Sequence, residues 1–305
     1  MRFLVIDGGG TSTDVAVCDG VTIAARSSLP TVKPAAGNPK TDELCRMLGS
    51  FLATSPVDHT EEAPLHAVVI GMAGIWSDAE RYSYRQALRD SWQTYVSPSM
   101  IPFVVMSDAE LALTSAHVNS QGAILIAGTG SIMLMRDSEQ HLHRCGGWGP
   151  LIDDAGGGYW LGQQACAAVA RMLDGRGPST QLIRPVAAYL RVDSSDHNAV
   201  RNALRITSSS AFARIGSAVL QYADELDAVA LDIREQGARE LALLLSSLEK
   251  TVDVTVYGSL MRNESYRSGV MRYSQRTLTL MEDVVASLVS KIGRADTLPP
   301  ALAQD

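Results

Sequence analysis

Hydrophobic and polar positions follow one pattern twice along the chain. Residues 2–6 (RFLVI) form a nearly unbroken apolar run, as expected of a buried strand, and 13–18 (TDVAVC) alternates with β-branched enrichment, predicting a second strand. A third strand is expected near 21–26. Then come a helix near 40–53, a strand at 67–71 (AVVIG), a helix near 78–94, a strand at 103–106 (FVVM) and a short helix from 109 to about 117. The second round opens at 122–127 (GAILIA), turns through glycines at 128–130, and continues with strands at 132–136 (IMLMR) and near 141–145. Helices are expected at about 155–173, 178–191, 197–205, 209–222 and 226–249, followed by a strand at 252–257 and a helix near 262–275. Two copies of one mixed α/β unit, 1–118 and 119–305, facing each other across a cleft, are the architecture this order implies. Segments 174–181 and 293–305 read as the most loop-like, the latter as a loosely ordered tail, and no closing helix stands out in 277–305.

The composition narrows the function. With 305 residues and 46% hydrophobic content, each unit can have its own core. The net charge of −7 is spread along the chain, which argues against nucleic acid as a partner. Only four lysines occur (Lys33, Lys40, Lys250, Lys291), none beside a glycine-rich turn in sequence, so neither a P-loop lysine nor a Schiff-base lysine is expected. The four cysteines (Cys18, Cys45, Cys145, Cys166) form no C-x-x-C pair and read as reduced, mostly buried thiols. There is no uninterrupted apolar run of about 18 residues and no signal-peptide layout before the first strand, so a cytoplasmic protein with no membrane partner is expected.

The glycines carry the chemistry. "DGGGTSTD" (Asp7 to Asp14) lies between two strands and lacks a following lysine, which excludes both the Walker loop and the dinucleotide fingerprint that opens a helix. A simple two-residue hairpin turn needs one or two glycines, not three followed by a Thr-Ser-Thr run. The remaining reading is a turn in which Gly9, Gly10, Thr11, Ser12 and Thr13 offer backbone N–H groups and hydroxyls to phosphate oxygens. Asp7, at the strand end, would hold a hydrated Mg²⁺, and Asp14 reads as a surface strand residue. Gly128, Thr129, Gly130 and Ser131 repeat the same grammar in the second round, so two turns facing a cleft could hold one triphosphate from both sides.

"VIDGGGTSTDVAV", "LIAGTGSIMLM" and "GGWGPLIDDAGGGYWLG" (146–162) together resemble the sugar kinase/Hsp70/actin superfamily, and within it the N-acetylglucosamine kinase-like proteins of the BadF/BadG/BcrA/BcrD ATPase family. The resemblance covers residues 1–165 well and 252–272 more weakly. It implies two ribonuclease-H-like (actin-like ATPase) domains with mixed sheets, ATP and Mg²⁺ as cofactors, a small-molecule amino sugar as acceptor, and pairing as a homodimer. Asp108 in "VVMSDAELAL" stands where these kinases keep their catalytic base. The competing role, a helix N-cap, is better filled by Ser107, because Ser107 and Glu110 make the S-x-x-E capping-box pattern.

For the sugar, the resemblance implies contacts from Gly74 in "GMAGIW", Asp154, Trp148 and a loop asparagine. Trp148 reads equally well as a pocket wall or as a core tryptophan between the two domains. A gapless count places the loop position on Val32, whereas Asn38 fits if the loop is longer. Ala155 and Gly157 replace the Glu and Ser that usually follow Asp154, which changes which sugar substituents can be satisfied. Gly258 and Ser259 in "VTVYGSLMRN" stand at the adenosine motif, although a strand-to-helix turn with one glycine is common in any α/β protein. Two other functions share this fold. One is a reductase-activating ATPase with an iron–sulfur cluster on cysteines, the other a nucleotide-dependent binding protein without kinase activity.

Overall fold

The computed structural model describes residues 2–35, 37–56, 64–99, 101–118, 120–205 and 210–292, so the tail at 293–305 lies outside the described residues. The chain divides into two compact units, Met1–Gln121 with Ser138–Gln140 and Asp283–Asp305, and Gly122–Asp137 with His141–Glu282. This division differs from a single cut at 118/119 in grouping the described residues 283–292 with the first unit.

The first unit contains β1 (Arg2–Gly8), β2 (Ser12–Asp19), β3 (Thr22–Pro30), α1 (Thr41–Thr54), β4 (Ala67–Met72), α2 (Asp78–Tyr95), β5 (Phe103–Met106) and α3 (Asp108–Ala116). Its sheet runs β3-β2-β1-β4-β5, with β2 antiparallel to β1 and β3, and β4 and β5 parallel to β1. Phe3, Leu4, Val5 and Ile6 are all fully buried, as a strand covered on both faces requires. Leu4 and Ile6 pack with Leu44 and Leu48 of α1 and Leu88 and Trp92 of α2. The alternate residues point to the other face, and α3 also packs on β1 and β4.

The second unit contains β6 (Gly122–Ala127), β7 (Ser131–Arg136), β8 (Leu142–Gly146), α4 (Gly158–Leu173), α5 (Ile183–Leu190), α6 (His197–Arg205), α7 (Ser210–Asp224), α8 (Ala228–Leu244), β9 (Val254–Tyr257), a short 3₁₀ turn (Ser259–Arg262), α9 (Glu264–Ser274) and β10 (Leu278–Leu280). Its order, β10-β9-β6-β7-β8, is that of the first unit read from the other edge, with the same strand directions. The repeat visible in the sequence is thus a repeat of topology, with α4 to α8 inserted where the first unit has α1 alone. No described helix is long and apolar enough to cross a membrane.

α10 (Val284–Ile292) is the closing helix that the sequence pattern did not reveal, and it packs on α3, β3 and β1 of the first unit. Ser287 Oγ and Lys291 Nζ each donate to the Ser115 carbonyl at 2.8 Å, and Lys291 also reaches the Ala116 carbonyl. An ammonium group at these terminal carbonyls complements the α3 dipole.

Candidate functional site

The β1–β2 register sets the geometry of the first glycine turn. Gly8 pairs with Thr13, and the Gly9 N–H closes the turn on the Ser12 carbonyl at 2.9 Å. Gly10, Thr11 and Ser12 remain exposed at the tip, whereas Thr13 is buried and its hydroxyl has no partner among the described residues. The outward donors are therefore those of residues 10–12. The same register sets Asp7 directly opposite Asp14, a like-charge pair. Burial first, then the charges of Asp108, Asp14 and Asp283, push the Asp7 pKa up to about 7, with Arg26 acting in the opposite direction. Arg26 on β3 pairs with Asp14 at 3.4 Å and also with Asp283, so Asp14 belongs to this charged group and is more than a surface strand residue. Asp7 has no hydrogen-bond donor of its own among the described residues, and a cation would relieve its environment. No group of three or more His, Cys, Asp or Glu among the described residues is arranged around a metal. One carboxylate suits Mg²⁺, which keeps most of its waters.

Asp108 is the first residue of α3, directly after β5. The capping box forms as the sequence predicted: Ser107 Oγ accepts the Glu110 N–H, and Glu110 Oε2 accepts the Ser107 N–H at 2.8 Å. Arg81 on α2 adds a bidentate grip on the buried Glu110, with Nη2 at 2.9 and 2.8 Å from its two oxygens. Asp108 is thus relieved of capping and held by its neighbours. Its Oδ1 accepts the Ala109 N–H at 2.9 Å. Burial raises its pKa, opposed by that N–H and by the charge of Lys33.

Lys33 is a residue the sequence did not single out. Thr31 Oγ1 donates to the Gly9 carbonyl at 2.9 Å and accepts the Lys33 N–H, Val32 is fully buried in the core, and the Lys33 stem lies across Gly74. Gly74 has φ +89°, and a Cβ there would come within 3.2 Å of Lys33 Cε. The fold therefore brings the Lys33 side chain over Gly74, while Thr31, two residues earlier, makes the contact with the glycine turn. The burial of Val32 removes it as a polar contact. Asn38 is exposed in a tight turn: its backbone pairs with Ala35 and its Oδ1 accepts the Lys40 N–H at 2.9 Å, just before α1.

In the second unit, the turn at Gly128–Ser131 is fixed from behind by the start of α4. Gly158 N–H donates to the Gly128 carbonyl at 2.8 Å and Tyr159 N–H to the Thr129 carbonyl at 2.9 Å, while Ser131 Oγ is engaged by the Ala155 carbonyl at 2.8 Å. Asp154, buried and at φ +60°, accepts the Gly149 N–H at 3.3 Å and turns its carboxylate onto Gly130. Burial raises its pKa. A Cβ at Gly130 would lie 2.9 Å from Asp154 Cγ, and one at Gly157 would lie 2.6 Å from the Gly130 carbonyl carbon. No side chain fits at Gly157 without displacing the Gly130 backbone. Gly130→Ala is expected to destabilise the protein by about 1–3 kcal/mol and to raise the apparent nucleotide Kd. Gly128→Ala, whose Cβ meets nothing within 4 Å, should stay within about 0.5 kcal/mol in the same thermal and titration measurements.

Trp148 is 71% exposed, with the Arg144 guanidinium 4.9 Å from its ring centre, so it is not packed in the core of the second unit. Tyr266 on α9, not anticipated from sequence, is buried and donates to the Gly156 carbonyl at 2.7 Å, holding the loop that follows Asp154. Gly258 ends β9 at φ +109° against the Ala127 backbone, and Ser259 opens onto a cavity of about 420 Å³ lined also by Ser217, Gln221, Asp224, Glu225 and Asn263. Cys18, Cys45 and Cys166 are buried, and burial pushes each thiol up to about 12, an environment that disfavours metal-binding thiolates.

A topology repeated in two units, each with a glycine turn between its first two strands, defines a duplicated ribonuclease-H-like protein of the actin-like ATPase class. The chain belongs to the BadF/BadG/BcrA/BcrD ATPase family, whose model matches residues 4–279. An N-acetylmuramic acid/N-acetylglucosamine kinase of Clostridium acetobutylicum is 28% identical over 281 residues, 87% of this chain and 88% of that protein. An N-acetyl-D-glucosamine kinase of Dictyostelium discoideum is 28% identical over 202 residues, 64% of this chain and 62% of that protein. A crystal structure from Porphyromonas gingivalis, described as a candidate N-acetylglucosamine kinase, shares the fold with a TM-score of 0.75 at 18% identity, covering 97% of this chain and 100% of the other.

Proposed function

We propose that this protein is an ATP-dependent kinase that transfers the γ-phosphoryl group to a hydroxyl of an amino sugar. The observation that carries the reading is Asp108: a half-buried carboxylate of raised pKa, freed from capping by Ser107 and Glu110 and in the same unit as the first glycine turn. The kinase relatives, one of them covering 88% of its own length, support the reaction class. Asp108 accepts the proton of the attacking hydroxyl as the new oxygen–phosphorus bond forms and ADP leaves with the bridging oxygen. A base of raised pKa suits this role at neutral pH. The exposed donors of residues 10–12 and Thr129 serve the phosphates, Gly128 N–H being spent on the Gly130 carbonyl at 3.0 Å, and the cavity at Ser259 serves the nucleoside. Asp7 is the residue that would hold hydrated Mg²⁺, which when bound neutralises phosphate charge.

The direct test is ATP and Mg²⁺ with N-acetylglucosamine, glucosamine, N-acetylmuramic acid and glucose, following sugar-dependent ADP release and the phosphorylated product. Turnover of at least one amino sugar is expected. Sugar-independent hydrolysis alone, with no phosphorylated sugar, would overturn the kinase reading and leave a nucleotide-dependent binding protein.

A further inference from the structure

Arg26 on β3 bridges two carboxylates beside the candidate cation residue. Its Nη2 lies 3.4 Å from Asp14 Oδ2, and its Nη1 pairs with Asp283 Oδ2. Asp14 is directly opposite Asp7 in the β1–β2 register, so the two side chains share one face of the sheet. Arg26 stands diagonally across from Asp14 on that same face, since its own register partner is Ala16. Asp283 arrives from the start of α10, where its other oxygen accepts the Ala286 N–H at 2.9 Å. Asp7, Asp14 and Asp283 therefore gather on one patch of the first unit, and a single guanidinium engages the last two while leaving Asp7 free. The pairs are partly exposed and contribute little to stability. Their larger consequence is for what the patch can bind.

The number of free carboxylates separates the common divalent cations. Mg²⁺ keeps several waters and takes few carboxylates, whereas Ca²⁺ takes more oxygens and binds more tightly as charged ligands are added. We propose that Arg26 sets the metal selectivity of the Asp7 site: by holding Asp14 and Asp283 it leaves one carboxylate for a hydrated Mg²⁺ and withholds the further oxygens that Ca²⁺ would use. The proposal rests on the reading above in which Asp7 holds Mg²⁺. Arg26 acts through the two carboxylates and is a positioning residue. Arginine suits this role because its planar fork offers separate N–H groups to two carboxylates, whereas lysine offers one compact charge.

The test titrates the nucleotide-free protein with Mg²⁺ and, separately, with Ca²⁺, followed by calorimetry and by melting temperature, in the wild type, Arg26→Met and Arg26→Lys. Loss of a positive charge alone would tighten both cations alike, so the ratio of the two dissociation constants is the readout. Arg26→Met is expected to raise the preference for Ca²⁺ over Mg²⁺ by about tenfold or more, with Arg26→Lys in between. The same Arg26→Met change in an Asp14→Asn/Asp283→Asn background should leave the ratio within about twofold, because no carboxylate is then released. An asparagine at position 283 still caps α10. An unchanged ratio in Arg26→Met, or an equal change in the background lacking both carboxylates, would overturn the proposal. Melting curves without metal show whether each variant folds; should Arg26→Met fail to, Arg26→Lys carries the same comparison, and an unchanged ratio there overturns the proposal. Asp7→Asn separates the two readings. If it binds both cations as the wild type does, the assignment of the cation to Asp7 fails together with this proposal; if it loses them while Arg26→Met shifts no ratio, only the role of Arg26 fails.

Discussion

Asp108→Asn is expected to lower kcat by about 10²–10⁴-fold while leaving the KM for ATP within about twofold, the loss assigned to a general base. The substitution is informative because the carboxamide keeps the shape of the side chain, and its oxygen can still accept the Ala109 N–H that Asp108 accepts now. The cap of α3 is untouched, since Ser107 and Glu110 make the box and Arg81 holds Glu110 from α2. A fall in turnover therefore reports proton transfer and not the loss of a helix end. The acid limb of the wild-type kcat profile should lie above the ordinary carboxylate range, because burial raises the Asp108 pKa. Loss of ATP binding in Asp108→Asn, or an unchanged kcat, would make Asp108 a structural residue.

How much of this was legible in the sequence depends on whether a feature is local. The order of strands was readable as far as β9, because the central strands are short apolar runs and the two phosphate-type turns are clusters of glycines, whereas the three-residue β10 was not read. The S-x-x-E box at Ser107 was readable for the same reason, and it took the capping role away from Asp108, which the family resemblance had singled out. What the sequence hid are the meetings of distant residues: Arg81 with Glu110, Tyr266 with Gly156, and Lys33 with Gly74, which comes 41 positions later along the chain. No spacing rule reports such pairs. α10 escaped because a nine-residue apolar helix following a three-residue strand offers too short a window for periodicity, and its membership of the first unit is a matter of packing. Val32 shows another limit, in which counting along a loop could not tell which residue the fold turns inward; burial selects Val32 for the core and leaves Lys33 over Gly74.

Asp7→Asn should make the unliganded protein more stable at pH 8 while impairing its function. The folded-state pKa of Asp7, about 7, lies above the ordinary unfolded value near 4, so the folded protein holds the proton more tightly. The stability this group contributes is fully present below about pH 4 and is lost as pH rises through 7, where the carboxylate ionises against burial, Asp108, Asp14 and Asp283. A neutral asparagine avoids that loss. The melting temperature of the unliganded variant is expected to exceed that of the wild type by about 2 °C or more at pH 8, the shift that roughly 1 kcal/mol produces in a chain of this order of size, and the gap should close towards pH 4. Function should change in the opposite direction, with about a 10–100-fold loss in Mg²⁺-dependent ATP use, the usual consequence of removing a group that orients a metal through its waters. Mg²⁺ and ATP should then raise the melting temperature of the wild type more than that of Asp7→Asn. A variant less stable than the wild type at pH 8 would show that Asp7 is satisfied within the fold, and the case for a cation there would fail. The paired result, stability gained and Mg²⁺ dependence lost, is the signature of a carboxylate placed for a ligand at the expense of the unliganded protein.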